Sequence, residues 1–181
     1  MTGRLRLARD TTVEACQALL GIEPLLVARD ADLLDVVRSA GRQPATRVIG
    51  VVDPAGRIVG VIPVTRVAES IVARVVPESL LVDVEDEASA VRFSHSVEDR
   101  IASDVMLPPA TTVPSATIGA AFREMHRRRL GGLYIVDEAG RPTGYLDLLE
   151  LAIVYVRALA EAAADVAGPQ GAGGSAAEPG A

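Results

Sequence analysis

An internal repeat is the feature that most constrains how this chain can fold. Residues 51–60 read V-V-D-P-A-G-R-I-V-G, and residues 135–144, at an offset of 84, read I-V-D-E-A-G-R-P-T-G, with six of the ten positions identical. The same offset carries the pair Val13-Glu14 onto Val97-Glu98. Similarity at a fixed offset indicates two copies of one structural unit. The chain is therefore expected to fold as two related halves.

The first copy has the pattern of a strand, a helix, two strands and a second helix. Asp30 is placed to cap a helix over residues 31–40, in which Leu33, Val37 and Ala40 recur at the spacing of a core-facing stripe. The motif D-P-A-G between two apolar runs suits a type I turn, with Pro second and Gly fourth. We predict strands over residues 25–28, 48–52 and 58–62 and a second helix over residues 65–76 that buries Val67, Ile71 and Val75.

The second copy repeats this order. Ser115 is placed to cap a helix that carries Ile118, Phe122 and Met125 on its apolar face, and D-E-A-G supplies the hairpin turn. We predict strands over residues 111–113, 133–136 and 143–146 and a closing helix from residue 148 to about residue 166. Each copy also has a leading helix, over residues 13–20 and 97–105, and Thr11 with Glu14 has the spacing of a capping box.

These elements define an α/β (α+β) fold of two pseudo-symmetric β-α-β-β-α repeats. One half encloses little core of its own, so the two halves are expected to pack as one module and share a core. The repeats are expected over residues 11–76 and 96–166. Between them, residues 77–95 form an acidic connector that contains the run D-V-E-D-E, and residues 167–181, mostly Gly, Ala, Ser and Pro, are expected to be disordered.

Composition limits the classes of function. The net charge of -6 argues against a nucleic-acid partner, because neutralising phosphates requires a basic surface. Cys16 is the single cysteine, which excludes an internal disulfide and fits a reducing cytosol. We find no signal peptide in the first residues and no apolar run near the ~20 residues of a membrane span. The expectation is a cytoplasmic protein that is not inserted in a membrane.

The sequence offers no constellation for catalysis or metal binding. His95 and His126 are the two histidines, and both lie far from Cys16 in the sequence. This is not the spacing of metal ligands. No Gly-rich phosphate loop follows a strand, and Ser96 at a predicted helix start is explained as a cap. We therefore expect no metal site, no obligatory cofactor and no enzymatic activity.

Three motifs together resemble a known family. They are D-V-M at residues 104–106, V-P-S-A-T-I at residues 113–118 and G-L-Y-I-V-D-E-A-G-R-P-T-G-Y-L at residues 132–146. This pattern resembles the CBS domain (cystathionine beta-synthase domain), and the first copy resembles a looser version of it. The resemblance implies a tandem CBS pair, often a homodimer, whose clefts bind AMP, ADP, ATP or S-adenosylmethionine. Such pairs regulate a partner, for example an enzyme or a transporter.

The resemblance also indicates where a ligand would bind. Family members follow the last hairpin glycine with two apolar residues, a Ser or Thr that contacts phosphate, two free positions and an Asp that holds the ribose. Here Pro63 and Arg66 stand at these places in the first copy, and Asp147 and Glu150 in the second. The second cleft is therefore expected to be the better nucleotide site, because Glu150 keeps a carboxylate. The candidate ligand-binding residues are Glu150, Asp147, Thr65, Arg66, Tyr134, Leu133 and Thr111.

Two of these signals have structural alternatives. The sequence D-L-L-E at the start of the last helix is also a capping box, with Asp147 as the N-cap and Glu150 at the third helical position. The run H-R-R-R over residues 126–129 is either a phosphate-binding patch or a solvated helix end, where cations suit the helix dipole. The sequence favours the structural explanation for both.

The last helix is apolar on more than one side. Leu148, Leu151, Ala152, Tyr155 and Leu159 form one predicted face, and Ile153, Val154 and Val156 lie outside it. A helix of this kind needs a second surface to pack on, which indicates a homodimer. Two functions remain open: a sensor of an adenosine-containing ligand that controls a partner, and an adaptor module whose ligand sites have been lost.

Overall fold

The computed structural model of the protein describes residues 11–75 and 99–166. The predicted connector over residues 77–95, the predicted tail over residues 167–181 and the start of the second leading helix lie outside these ranges. Helices and strands alternate through both described segments. The helices are α1 (Val13–Leu20), α2 (Leu33–Arg42), α3 (Val64–Val75), α4 (Ala102–Val105), α5 (Ile118–Arg128) and α6 (Leu148–Val166). The strands are β1 (Leu26–Ala28), β2 (Val48–Val52), β3 (Ile58–Pro63), β4 (Thr111–Thr112), β5 (Gly132–Val136) and β6 (Pro142–Asp147).

The two halves contain the same sheet. In the first, β1 pairs parallel to β2, and β2 pairs antiparallel to β3. In the second, β4, β5 and β6 repeat this order and these directions. The predicted fold of two β-α-β-β-α repeats is confirmed.

The repeated D-x-A-G-R motif forms the same hairpin turn twice. In the first hairpin, the Asp53 side chain accepts hydrogen bonds from the amides of Ala55 and Arg57, and the Gly56 amide donates to the Asp53 carbonyl. Gly56 and its counterpart Gly140 have φ of 76° and 78°, which a residue with a Cβ adopts only with strain. A register shift follows in each sheet, as expected for a turn that ends in a glycine bulge.

The leading helix of each predicted repeat packs into the core of the other. Val13 and Cys16 of α1 lie fully buried in one cluster with Leu133 and Leu146 of the second sheet. The second cluster gathers the first sheet and its helices, and Ala102 and Val105 of α4 are buried there. Burial in this core raises the pKa of the Cys16 thiol. Neither repeat is therefore complete without the segment that precedes the other.

Backbone hydrogen bonds fix this exchange at the helix starts. The Ile118 amide donates to the Thr11 carbonyl, and the Leu33 amide donates to the Arg100 carbonyl. Thr12 and Thr117, which cap α1 and α5, form a bridge with each other, and Asp32, which caps α2, pairs with Ile101.

These contacts correct three predicted caps. The caps are Thr12, Asp32 and Thr117 rather than Thr11, Asp30 and Ser115, because the pairing with the other repeat sets where each helix begins. In the second leading helix, residues 99–101 are not helical as predicted, and α4 begins at Ala102.

The core-facing stripes of α2 and α5 also differ from the prediction. Val36 and Ala121 are buried where Val37 and Phe122 were expected, and the latter two side chains are 36% and 37% exposed. In α3, Val67 is buried as predicted and Ile71 is partly buried, whereas the side chain of Val75 lies outside what the structure describes. Leu33, Ile118 and Met125 are buried as predicted, so only the middle position of each stripe differs.

The two sheets meet at a glycine and a tyrosine that occupy corresponding positions. Gly50 in β2 and Tyr134 in β5 are related by the repeat offset. A Cβ on Gly50 would lie 2.8 Å from both Tyr134 Cζ and Leu26 Cδ2, so only a glycine leaves room for the ring. The ring of Tyr134 is also tilted against that of Tyr145, with centroids 5.2 Å apart. One large side chain thus fills the space that the small one leaves.

We predict that Gly50→Ala destabilises the fold, because the new methyl group overpacks this contact. The free energy of unfolding should fall by about 1–3 kcal/mol, measured by urea denaturation. Gly41→Ala is the control: Gly41 lies in α2, a methyl group added there would have nothing within 4 Å, and the helix propensity of alanine should leave stability equal or higher. Equal effects of the two substitutions would contradict the packing argument.

Candidate ligand site between the repeats

An ion pair joins the two repeats at the ends of their sheets. Arg47, which directly precedes β2, reaches Asp147 at the end of β6, with Nη1 2.8 Å from Oδ1. The Arg47 side chain is 38% exposed and that of Asp147 is fully buried. The Arg47 carbonyl also accepts the Val64 amide at the start of α3. This residue therefore contacts the first turn of α3 with its backbone and the start of α6 with its side chain.

The Asp147 carboxylate is fixed by four donors. Besides Arg47, the amides of Leu149 and Glu150 donate to Oδ1 at 2.9 Å and 3.3 Å, and the Tyr145 hydroxyl donates to Oδ2 at 3.3 Å. The cap interpretation of Asp147 is confirmed. Burial and the adjacent Asp147 charge raise the pKa of Tyr145, so this hydroxyl stays protonated as a donor. It also accepts the Val48 amide of the first repeat.

Tyr134 makes a second polar connection across the same boundary. Its side chain is fully buried, and its hydroxyl lies 2.6 Å from the Leu25 carbonyl and 3.0 Å from the Val48 carbonyl of the first repeat. Burial is the main cause that raises the pKa of this phenol. The hydroxyl directs its single hydrogen at this pair of carbonyls and not at solvent.

The remaining candidate residues are accessible. Thr65 and Arg66 lie exposed in the first turn of α3, and Thr111 is half-buried in β4, paired with Tyr134. Glu150 is half-buried in the first turn of α6. Within residues 11–75 and 99–166, the Glu150 carboxylate makes no hydrogen bond or ion pair. It is an unneutralised carboxylate one turn from the fixed Asp147.

The basic run over residues 126–129 ends α5. Arg127 and Arg128 both bond to Glu124, which lowers the pKa of that carboxyl group. Arg129 is the C-cap in a left-handed conformation, with φ of 55°. The interpretation as a helix end is confirmed. Among the described residues, no group of three or more His, Cys, Asp or Glu side chains is arranged to hold a metal ion.

Residues 102–157, which run from α4 into α6, match the model of the protein family described as "CBS domain". This segment, which spans most of the second repeat, is a CBS domain. A search of curated sequences returns no match.

Solved structures share the fold of the whole CBS pair. A CBS domain-containing protein from Thermotoga maritima is 21% identical, with a TM-score of 0.64 over 83% of this chain and 97% of the other. The CBS domain pair of protein MJ0100, solved with 5′-methylthioadenosine and S-adenosyl-L-methionine, is 13% identical, with a TM-score of 0.60 over 82% and 98%. CBSX2 in complex with AMP is 15% identical, with a TM-score of 0.56 over 81% and 97%. At these identities the likeness concerns the fold.

The structure thus divides the predicted CBS ligand residues into two sets. Asp147, Tyr134 and Leu133 are completely buried, and the first two have their polar atoms engaged within the protein. Glu150, Thr65, Arg66 and Thr111 keep accessible surface. The second set is therefore accessible enough to contact a ligand. Asp147 and Tyr134 belong instead to the boundary between the repeats.

Sequence reasoning missed Arg47. Its counterpart by the repeat offset is Gly131, and the Arg47 side chain packs over Gly131, 3.7 Å from the point that a Cβ would occupy there. A residue present in one copy alone is not marked by the repeat. The available signal was the acidic Asp147 at a position where the CBS pattern has a hydroxyl, because a buried carboxylate requires a cation.

We predict that Arg47→Met destabilises the protein, since Asp147 would stay buried without its cation. The loss in unfolding free energy should be about 2 kcal/mol, less than for a fully buried pair because Arg47 is partly exposed. Adding Asp147→Asn should recover part of this loss, and a double-mutant cycle by urea denaturation measures the coupling. Arg38→Met, which breaks the exposed pair with Asp35, is the control and should change stability by less than about 0.5 kcal/mol. Additive effects at Arg47 and Asp147 would contradict the pairing.

Proposed function

We propose that this protein is a regulatory module that binds an adenosine-containing ligand in the cleft of the second CBS repeat and passes its occupancy to a partner. The observation that carries the proposal is Glu150. It lies where the CBS pattern has the carboxylate that holds the ribose, and it is accessible and unneutralised among the described residues. A carboxylate accepts hydrogen bonds from both ribose hydroxyls, whereas Arg66 at the corresponding place in the first repeat has donors only.

Similar folds hold more than one class of ligand. One solved neighbour binds 5′-methylthioadenosine and S-adenosyl-L-methionine, and another binds AMP. These ligands share adenosine and differ at the 5′ position. They support an adenosine-containing ligand, of the group AMP, ADP, ATP or S-adenosylmethionine. Which 5′ substituent is bound would depend on the side chains of this chain.

The position of Glu150 suggests how occupancy reaches a partner. Glu150 lies in the first turn of α6, and the same helix carries a stripe of exposed apolar side chains further along. A ligand that orders the first turn of a helix also restricts the rest of it. We therefore propose a regulated enzyme or transporter as the partner, a cytoplasmic location and no catalytic activity. No helix within the described ranges is both long and apolar enough to cross a bilayer.

Isothermal titration calorimetry with adenosine tests the proposal. The wild type should bind adenosine, and Glu150→Gln should weaken binding by about tenfold, the equivalent of ~1.4 kcal/mol, because the amide loses one acceptor and the charge. Arg66→Gln is the matched control in the first repeat and should leave the affinity unchanged. Binding that depends on Arg66 and not on Glu150 would assign the ligand to the other cleft.

The alternative is an adaptor module without a ligand. Burial of Asp147, Tyr134 and Leu133 favours it, because three predicted lining residues are inaccessible and the first two bind residues of the first repeat. An adaptor would give no heat with adenosine, AMP, ATP or S-adenosylmethionine and no thermal shift. A bound ligand at a hundred times its dissociation constant adds about 2.7 kcal/mol of stability, so the shift separates the two functions.

We also propose a homodimer through α6. The predicted face of this helix does not lie in its own core: Leu151 is buried, whereas Leu148, Tyr155 and Leu159 are 39%, 49% and 53% exposed. Val156, outside that face, is 62% exposed. Positions 148, 152, 155 and 159 have the spacing of a continuous helical stripe, as expected of a surface that packs on a second helix. A second copy would bring the same stripe to the contact.

Light scattering at micromolar concentration should give twice the mass of one chain. Tyr155→Glu and Val156→Glu should each shift the protein toward the monomer, because they place a charge in an apolar contact. Arg157→Gln, at an exposed position on the same helix turn, also lowers the net charge by one and controls for a change in charge alone. A wild type with the mass of one chain would refute the dimer.

A further inference from the structure

The anion at the start of α6 is a side chain of the protein itself, the Asp147 carboxylate. The Asp147 carboxylate accepts hydrogen bonds from the amides of Leu149 and Glu150, from the Arg47 guanidinium and from the Tyr145 hydroxyl, and it has no exposed surface. An ionised carboxylate has about four acceptor sites. Oδ1 accepts three of these bonds and Oδ2 accepts one, so the protein engages both oxygens without solvent.

These donors are of the kind that bind phosphate. The free amides of a first helical turn and an arginine side chain together form a common phosphate site. In this protein the same groups surround the Asp147 carboxylate. A ligand phosphate brought to the start of α6 would compete with Asp147 for the donors and would be repelled by its charge. If the phosphate drew Arg47 away, it would leave the buried carboxylate without its cation, which is costly.

The first repeat provides a comparison within the chain. Pro63 stands at the position that corresponds to Asp147, and proline has no side-chain oxygen with which to occupy the start of α3. Thr65 and Arg66 follow it with exposed side chains. The internal anion is therefore a property of the second repeat and not of the repeated unit.

We propose that Asp147 takes the place of a ligand phosphate, so that the second cleft selects adenosine derivatives whose 5′ substituent is neutral or positively charged and rejects nucleotides. This inference rests on the proposed function, because it requires a ligand whose ribose is held by Glu150. It narrows the ligand class to compounds such as 5′-methylthioadenosine. The Glu150 carboxylate, which has no partner within residues 11–75 and 99–166, adds a second negative charge to the same helix turn and further favours a cationic substituent.

Calorimetric titration with 5′-methylthioadenosine and with AMP tests the selectivity, and the ratio of the two dissociation constants is the readout. The ratio is insensitive to a partly unfolded sample, because both ligands require the same folded protein. On the wild type, 5′-methylthioadenosine should bind at least about tenfold more tightly than AMP. Asp147→Asn keeps an effective N-cap, removes the negative charge and frees Arg47. This variant should gain about tenfold in affinity for AMP and keep its affinity for 5′-methylthioadenosine.

Asp137→Asn is the matched control. Asp137 is an ion-paired aspartate in the β5–β6 turn, bonded to Arg141, and its substitution should leave the ratio unchanged. Wild-type protein that binds AMP as tightly as 5′-methylthioadenosine would overturn the selectivity and leave the proposed function standing. A ratio that Asp147→Asn does not change would overturn it as well. The absence of heat with both ligands on every variant would overturn the proposed function and the selectivity together.

Discussion

The exchange of leading segments is the constraint on which the rest of the structure depends. A three-stranded sheet with two helices has an apolar face and too few elements to cover it. Here α1 covers the second sheet and α4 covers the first, and each is held by backbone hydrogen bonds to the start of a helix in the other repeat. The boundary between the repeats is therefore an internal core, and a polar group buried there without a partner lowers stability.

Those polar groups form one connected network. Tyr145 accepts the Val48 amide and donates to Asp147, which in turn binds Arg47 and caps α6. The same residues therefore hold the repeats together and define the start of the helix that carries Glu150. Stability and the proposed ligand selection depend on the same side chains, so a substitution that alters one is expected to alter the other.

Much of the fold was predictable because the sequence contains two copies of one structural unit. The D-x-A-G-R motif located both hairpins, and the bounds of α1, β2 and α6 agree with the prediction. The motif is local, and local turn chemistry is decided within a few residues. The fold class followed from the order of elements and required no knowledge of how the halves pack.

The remaining features depend on contacts between the halves. Thr12, Asp32 and Thr117 are caps because the other repeat pairs with them, and no pattern around these residues distinguishes them from Thr11, Asp30 and Ser115. In the candidate site, the sequence identified Asp147 and Glu150 but not Arg47, which lies 100 residues from its partner. Burial of Tyr134 could likewise not be predicted from the sequence, because it depends on a glycine in the opposite repeat.

The pairing of Gly50 with Tyr134 makes the two halves unequal in a way that bears on how such a chain can change. Two copies of the second half about the same axis would bring two tyrosine rings into the space of one, and two copies of the first would leave a void between two glycines. A duplicated ancestor with identical halves could not have had this contact. With the ring in one half and no side chain in the other, each half is the specific complement of the other at this contact. Replacing one half with a copy of its neighbour would therefore disrupt this contact.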